Sequence, residues 1–402
     1  MKVLVADKFE DIGLAGLRDL GVEVEYNPDL KDASLVEAIK EHAPSVLVVR
    51  STKVPAEAIN DSSLGLIIRA GAGYNTIDVQ AASNNGVYVA NCPGKNSHAV
   101  AELAFGLILN CDRQIADNVI ELRNGVWNKK KFSKSRGLYG RTLGLVGMGM
   151  IGQAMVPVAK AFGMNVVSFS RWMTADVAAA LGIGRSESLN EVAEVADVIS
   201  VHVALTPQTK GMLNKAFFDR LKPGTIFINT SRAEVVDQAA LEEAVKSGKV
   251  RAGLDVFEGE PSGGEGTYEG SMRDLQGAYC THHIGASTDE AQNAVALEVV
   301  RIVRDYRTTG HPPNVVNIPS GDAATHLLVI RHADRVGVLA DILVALKSDG
   351  VNVQEMENIV LGPSHAAIAQ IAVTKSPSPS IIHSIRNNAN VFDIQVIEIV
   401  KS

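Results

Sequence analysis

Gly144-Leu145-Val146-Gly147-Met148-Gly149-Met150-Ile151-Gly152 is the stretch on which the fold turns. It holds G-x-G-x-x-G directly after an apolar run, Thr142–Val146, that reads as a strand. A helical pattern, Gln153–Phe162, follows. That strand–turn–helix setting is what gives the motif its meaning. Gly147 allows a tight turn, Gly149 lets the backbone approach a pyrophosphate, and Gly152 permits close packing of helix on strand. Met150 and Ile151 stand at the helix start, whose N–H groups favour phosphate. The expectation is a dinucleotide site.

Working outward, Val166–Phe169, Val198–Val201, Thr225–Asn229 and Ala252–Val256 read as further strands with helices between, one doubly wound sheet. Upstream, Lys2–Ala6, Val22–Tyr26, Ser45–Val49, Leu64–Ala70 and Val87–Ala90 alternate with helical segments at Gly13–Leu20 and Leu35–His42, a second α/β unit. A long helix, Ser97–Arg123, and a basic loop, Asn128–Arg136, join the two. Ala291–Tyr306 reads as a returning helix and Pro319–Asp322 as a linker. Beyond it the order changes to strand Leu327–Arg331, helix Gly337–Asp349, strands Val351–Asn358 and Ala366–Val373, helix Ser380–Asn387 and strand Val391–Val400. That is a ferredoxin-like βαββαβ unit. The expected fold class is α/β, with two Rossmann-like doubly wound parallel-sheet domains and this C-terminal module.

Composition bounds the function. The chain has 402 residues, 46% hydrophobic and 21% charged, ordinary for full globular cores. A net charge of −7 and 5% aromatics give nucleic-acid binding little support. Cys92, Cys111 and Cys280 are too scattered for a disulfide framework or a metal cluster, so no metal is expected. The N-terminus lacks the apolar core of a secretion signal, and the longest apolar run, near Leu103–Leu109, is far short of a membrane span. A cytoplasmic protein is expected, with no membrane partner.

The ribose rule points to a particular cofactor. An acid closing the second strand would bind the 2′-hydroxyl of NAD, yet Val166–Phe169 is followed by Ser170-Arg171. A hydroxyl and a guanidinium suit a 2′-phosphate. The reading leans to NADP and leaves NAD open.

Three chemical residues stand where strands of the second sheet end: Arg232, Glu260 and His283. In open α/β sheets ligands sit at the carboxyl ends of strands, so the three can share one crevice. A cation to bind a carboxylate and polarise a carbonyl, an imidazole to move a proton, and a carboxylate to orient it are what nicotinamide-dependent carbonyl chemistry needs.

With those residues in place, the chain resembles the D-isomer-specific 2-hydroxyacid dehydrogenases. The segments that carry the resemblance are Gly144–Gly152, Phe227–Arg232, Leu254–Phe257 with Glu260-Pro261, and His283–Thr288. The resemblance assigns catalysis to Arg232, Glu260 and His283. It places Asp255 near the nicotinamide amide and the adenosine-proximal ribose region, with its exact contact open, and sets Thr206 and Thr230 along the cofactor cleft. His282 stands where the family usually has proline; His283 is the aligned histidine. The resemblance also implies a discontinuous substrate domain, residues 1–93 with 284–318, around a dinucleotide domain, 94–283. The helix near Ser97 then links the two and helps form a homodimer or homotetramer.

On the substrate side, Arg50, Ser51, Arg69 and the turn Gly71-Ala72-Gly73 can meet an anion with cations and backbone N–H groups. Asn96, Arg113 and Lys129 match further family positions. The resemblance implies 3-phospho-D-glycerate oxidised to 3-phosphooxypyruvate, the first step of L-serine biosynthesis. Hydroxypyruvate or glyoxylate reduction, and a dinucleotide-sensing binding protein on the same fold, stay open. Residues 323–402 resemble an ACT domain, an amino-acid-sensing module. His332, Asp334 and Asn352 match its effector positions, with L-serine the implied effector. Asp334 stands where asparagine is usual and Val336 where proline is usual.

Overall fold

Runs such as Val46-Leu47-Val48-Val49 and Thr225-Ile226-Phe227-Ile228-Asn229 are buried along their whole length. That is the signature of parallel strands covered by helices on both faces. The computed structural model describes residues 1–261, 265–318, 324–362 and 365–399. They fall into two compact units, Met1–Val316 and Asn317–Ser402. The expected linker at Pro319–Asp322, and Val400 of the last expected strand, lie outside the described residues.

The first unit holds two parallel sheets. One is built from β1 (Lys2–Val5), β2 (Glu23–Tyr26), β3 (Val46–Val49), β4 (Leu66–Arg69) and β5 (Tyr88–Asn91), in the order β2-β1-β3-β4-β5. The other is built from β6 (Thr142–Val146), β7 (Asn165–Phe169), β8 (Gly184–Arg185), β9 (Val198–Val201), β10 (Thr225–Asn229), β11 (Val250–Leu254) and β12 (Ala278–Cys280), in the order β12-β11-β10-β9-β6-β7-β8. β11 begins and ends two residues earlier than the sequence suggests, because Ala252 pairs with Phe227 and Leu254 with Asn229, where the ladder ends. β6 and β9 are neighbours, so the strand order reverses beside the glycine turn, the place where such sheets bind ligands.

The returning helix, Asp289–Thr309, packs on the first sheet, where Ala296, Val299, Ile302 and Val303 join Val3, Val5, Val46 and Ile68 in one core. The expected single helix Ser97–Arg123 is two helices, Ser97–Arg113 and Ile115–Arg123. Gln114 between them adopts φ +51°, and the Asn110 side chain accepts the Ala116 N–H. Helix Ser97–Arg113 packs on the second sheet through Ala104, Ile108 and Cys111. Helix Ile115–Arg123 buries none of its residues and exposes Ile115, Val119, Ile120 and Leu122. The expected basic loop contains a short helix, Lys129–Phe132.

The second unit is the βαββαβ arrangement. It comprises β13 (His326–Ala333), helix Val338–Ser348, β14 (Val353–Leu361), β15 (Ala366–Val373), helix Pro379–Arg386 and β16 (Val391–Glu398). Its antiparallel sheet has the order β14-β15-β13-β16. Leu328, Ile330, Ile342, Leu346, Ile371 and Ile394 form its core. Among the described residues no helix is long and apolar enough to cross a membrane.

Candidate active site

The loops that leave the carboxyl ends of both sheets in the first unit face one cleft of about 1410 Å³. Its lining includes Arg50–Thr52 after β3, Ala70–Asn75 after β4, His202–Leu205 after β9, Thr230–Arg232 after β10, and parts of the segments after β11 and β12.

Local bonds set each chemical side chain. Asn229 ends β10. Its side-chain oxygen accepts the Ser231 N–H and hydroxyl, at 3.0 and 2.8 Å, and its amide donates to the Arg232 carbonyl. That turn presents Arg232 to the cleft. The Glu260 Oε1 atom accepts the Phe257 N–H at 2.8 Å, which folds the loop after β11 back on itself. Glu260 Oε2 lies 2.8 Å from His283 Nδ1. Burial opposes ionisation of Glu260. The bonds from His283 and Phe257, with the His283 and Arg232 charges, outweigh it, so its pKa lies below the usual carboxylate range. With Nδ1 occupied by the carboxylate, His283 Nε2 is the atom left to exchange a proton.

His283 itself has φ +54°, a left-handed backbone that non-glycine residues adopt only when held. Asp255 does the holding. Its Oδ1 accepts the Thr281 hydroxyl at 2.7 Å and the Ile284 N–H at 2.9 Å, and its Oδ2 accepts the Gly285 N–H at 2.8 Å. Asp255 is 1% exposed. Its carboxylate is therefore committed to the turn that carries His283, a role the sequence reading missed.

The cleft also has a cationic lining. Arg50, Arg69 and Arg232 all line the cleft. Burial, then the nearby charges of Arg232 and Arg50, push the Arg69 guanidinium down to about 10. Its Nε is buried without a hydrogen-bond partner among the described residues. Ser51, Gly71, Ala72, Gly73 and Asn96 line the same cleft, and His282 stands beside His283 in it. Gly71 and Gly73 leave room for the arginines: a Cβ on Gly71 would meet Arg69 at 1.7 Å, and one on Gly73 would meet Arg232 at 2.0 Å.

Arg113 and Lys129 do not line this cleft within one chain, and the expectation that such residues can reach it from a neighbouring subunit is not tested by a single chain. Asn96 caps the helix whose last residue is Arg113, and 17 helical residues span about 25 Å. Arg113 therefore stands at the far end of the element, exposed, and Lys129 lies beyond it on the exposed short helix.

The glycine turn fits a dinucleotide. Gly147 has φ +100°, and a Cβ there would strike the His202 carbonyl at 2.5 Å. A Cβ on Gly152 would strike the Gly147 carbonyl at 2.4 Å, whereas Gly149 faces open space. The helix Met150–Ala161 starts at this turn. Ile151 reaches the cleft, and Thr230 lines it with a buried hydroxyl that lacks a partner. Burial holds the neighbouring His202 neutral, with its pKa at about 3. The Thr206 hydroxyl is shared with Thr209 in a turn after β9. Ser170 and the exposed Arg171 follow β7, beside the turn, and Arg171 lies against the Trp172 ring. Among the described residues no group of three or more His, Cys, Asp or Glu side chains is arranged to hold a metal ion.

In the second unit, His332 is buried and its Nε2 lies 3.0 Å from the Asn358 side-chain oxygen. Asp334 and Asn352 are exposed. The three do not form one site within the chain. His332 is level with Ala367 of β15, and Val353, next to Asn352, is level with Val373. Six positions along a strand amount to about 20 Å.

Comparison with known proteins places this site in a family. Residues 105–285 match the NAD-binding domain of D-isomer-specific 2-hydroxyacid dehydrogenases. The hydroxypyruvate reductase of Thermotoga maritima is 43% identical over 258 residues, 63% of this chain and 82% of that protein. The chain belongs to the D-isomer-specific 2-hydroxyacid dehydrogenase family. Within that family, the D-3-phosphoglycerate dehydrogenase of Methanocaldococcus jannaschii is 39% identical over 323 residues, 80% of this chain. The matched region is 60% of that relative's length. The crystal structure of an NAD⁺-bound 3-phosphoglycerate dehydrogenase from Entamoeba histolytica superposes with a TM-score of 0.65 at 26% identity, covering 79% of this chain and 99% of that one.

Proposed function

We propose that the chain is an NAD(P)-dependent D-2-hydroxyacid dehydrogenase acting on 3-phospho-D-glycerate, a reaction that would open L-serine biosynthesis. The observation that carries this reading is the cleft itself: an imidazole held by a carboxylate shares it with three guanidiniums, of which Arg69 is repelled by the other two. A substrate bearing both a carboxylate and a phosphate relieves that repulsion and supplies acceptors for all three.

The residues divide the work. A bound nicotinamide would supply the acceptor for the hydride removed from C2 with its bonding electrons. His283 Nε2 takes the hydroxyl proton as the C2–O bond becomes a carbonyl, and returns it in reduction. Glu260 fixes the ring and favours the proton on Nδ1. Arg232 holds the substrate carboxylate in a two-pronged bond and stabilises negative charge on the oxygen. Gly147, Gly149 and Gly152 cradle the pyrophosphate, and Ser170 with Arg171 favours NADP. The substrate part of this design is residues 1–93 with 284–318, the dinucleotide part 94–283, and the amino-acid-binding part 323–402. The exposed apolar side of helix Ile115–Arg123 suits assembly into a dimer or tetramer.

The test follows reduced-nicotinamide formation at alkaline pH, with 3-phospho-D-glycerate against D-glycerate. A kcat/KM at least tenfold higher for the phosphorylated acid is expected. Equal use of glycerate would favour the reductase reading, which the 43% identity to the Thermotoga maritima protein supports. Tight cofactor binding with no turnover of either acid would favour a dinucleotide-sensing protein.

A further inference from the structure

The substrate side of the cleft depends on the loop Arg50-Ser51-Thr52, all of which lines it. What fixes the loop lies behind it. Asp7, two residues past β1, turns its carboxylate toward this loop. Its Oδ2 accepts the backbone N–H groups of Arg50 at 2.6 Å, Ser51 at 3.1 Å and Thr52 at 3.0 Å. Its Oδ1 accepts the Ser51 hydroxyl at 3.0 Å.

Successive backbone N–H groups converging on one oxygen form a nest, the shape that captures anions. Here the chain's own carboxylate fills the nest. Those N–H groups are committed to holding the loop, so at this loop a substrate anion must be met by side chains. Arg50 is the side chain so presented. Its backbone is held by Asp7 and its tip by Gln292 Oε1 at 3.0 Å and Glu10 Oε1 at 3.5 Å. The Asp7 charge also acts on the cationic lining, favouring the charged form of Arg69 against the repulsion of Arg50 and Arg232.

We propose that Asp7 is a positioning residue for the substrate anion, setting Arg50 by holding the backbone of its loop. This rests on the dehydrogenase reading above. The sheet does not need Asp7 to persist: β1 and β3 are joined by their own ladder, and Val3–Val5 and Val46–Val49 are buried around it.

The experiment compares Asp7→Ala and Asp7→Asn with the wild type. Asparagine can keep an oxygen toward the three N–H groups and donate its amide to the Ser51 hydroxyl, so it preserves the loop without the charge. The readouts are KM and kcat for 3-phospho-D-glycerate, its calorimetric Kd, and the Kd for reduced nicotinamide cofactor by fluorescence. Asp7→Ala should raise KM and Kd for the acid at least tenfold, with cofactor affinity within twofold. Asp7→Asn should recover to within threefold of wild type. Unchanged KM in Asp7→Ala would overturn the proposal, as would equal weakening of acid and cofactor in both variants. A wild type that binds the acid without turning it over would sink the dehydrogenase reading, and the Kd comparison would still decide Asp7. A wild type that does not bind the acid would overturn both.

Discussion

The side chains nearest the chemistry differ sharply in how far the sequence betrays them. Arg232, Glu260 and His283 stand within short strand-end motifs, so their convergence follows from the rule that ligands sit where parallel strands end. Asp255 and Asp7 act through partners far along the chain. Asp255 bonds residues 26 to 30 positions on, and Asp7 bonds residues 43 to 45 positions on. No local pattern announces such pairs. Replacing His283 with Ala removes the imidazole that Glu260 orients, the proton carrier of the proposed reaction. Turnover should fall at least ~100-fold, with cofactor affinity unchanged by fluorescence titration. Near-normal turnover would move the role to His282, which shares the cleft. At the ribose end, Ser170→Asp should place a carboxylate where a 2′-phosphate would sit, repelling it while accepting a 2′-hydroxyl. The ratio of kcat/KM for NADP over NAD should drop by tenfold or more. An unchanged ratio would show that Ser170 and Arg171 do not select the cofactor.

Elements were legible where their apolar pattern matched their burial and misread where it did not. Ile115, Val119 and Ile120 continue the helical rhythm of Ser97–Arg113, which makes one long helix from pattern alone. They are exposed, and the chain bends at Gln114. The two-residue edge strand Gly184–Arg185 is too short to show a period. Another element-scale device is the anchor of helix Asp289–Thr309. Glu298, 5% exposed, accepts bonds from Arg301 and from the Asn314 amide, and pairs with Lys95 at 3.2 Å. The Arg301 bond, with those of Asn314 and Lys95, outweighs burial and brings its pKa down to about 2. A depressed carboxylate stabilises the fold above its unfolded value and loses that contribution as pH falls through the folded one. The contribution is therefore complete above about pH 4.5 and fades toward pH 2. Glu298→Gln should lose stability in urea melts at pH 7, and the gap to wild type should close as the melts are repeated at pH 4 and pH 3. A constant gap would mean that the carboxylate acts by shape rather than charge.

At the scale of the whole molecule, the C-terminal unit was legible as βαββαβ from the order of its strand and helix patterns along the chain. The placement of its three candidate effector residues was not, because matched residues say nothing about which end of a sheet each occupies. His332 and Asn352 stand about 20 Å apart along the strand direction, further than one small amino acid can bridge. An effector that touches both must therefore lie between two copies of the unit, one giving its His332 and Asp334 end and the other its Asn352 end. Such binding favours paired tails. It can change catalysis only by favouring one of two conformations of the rest of the chain. Couplings of this kind are about 1–3 kcal/mol. L-serine, or another small amino acid, should thus change activity of the intact chain severalfold and leave a chain ending at Val316 unaffected. His332→Ala and Asn352→Ala should each abolish the response, and their equimolar mixture should recover part of it, since a mixed pair keeps one intact site. Sedimentation with and without the amino acid reads the pairing directly. If no amino acid binds the intact chain, the tail is an assembly module; if one binds without altering association, the two-copy site is wrong.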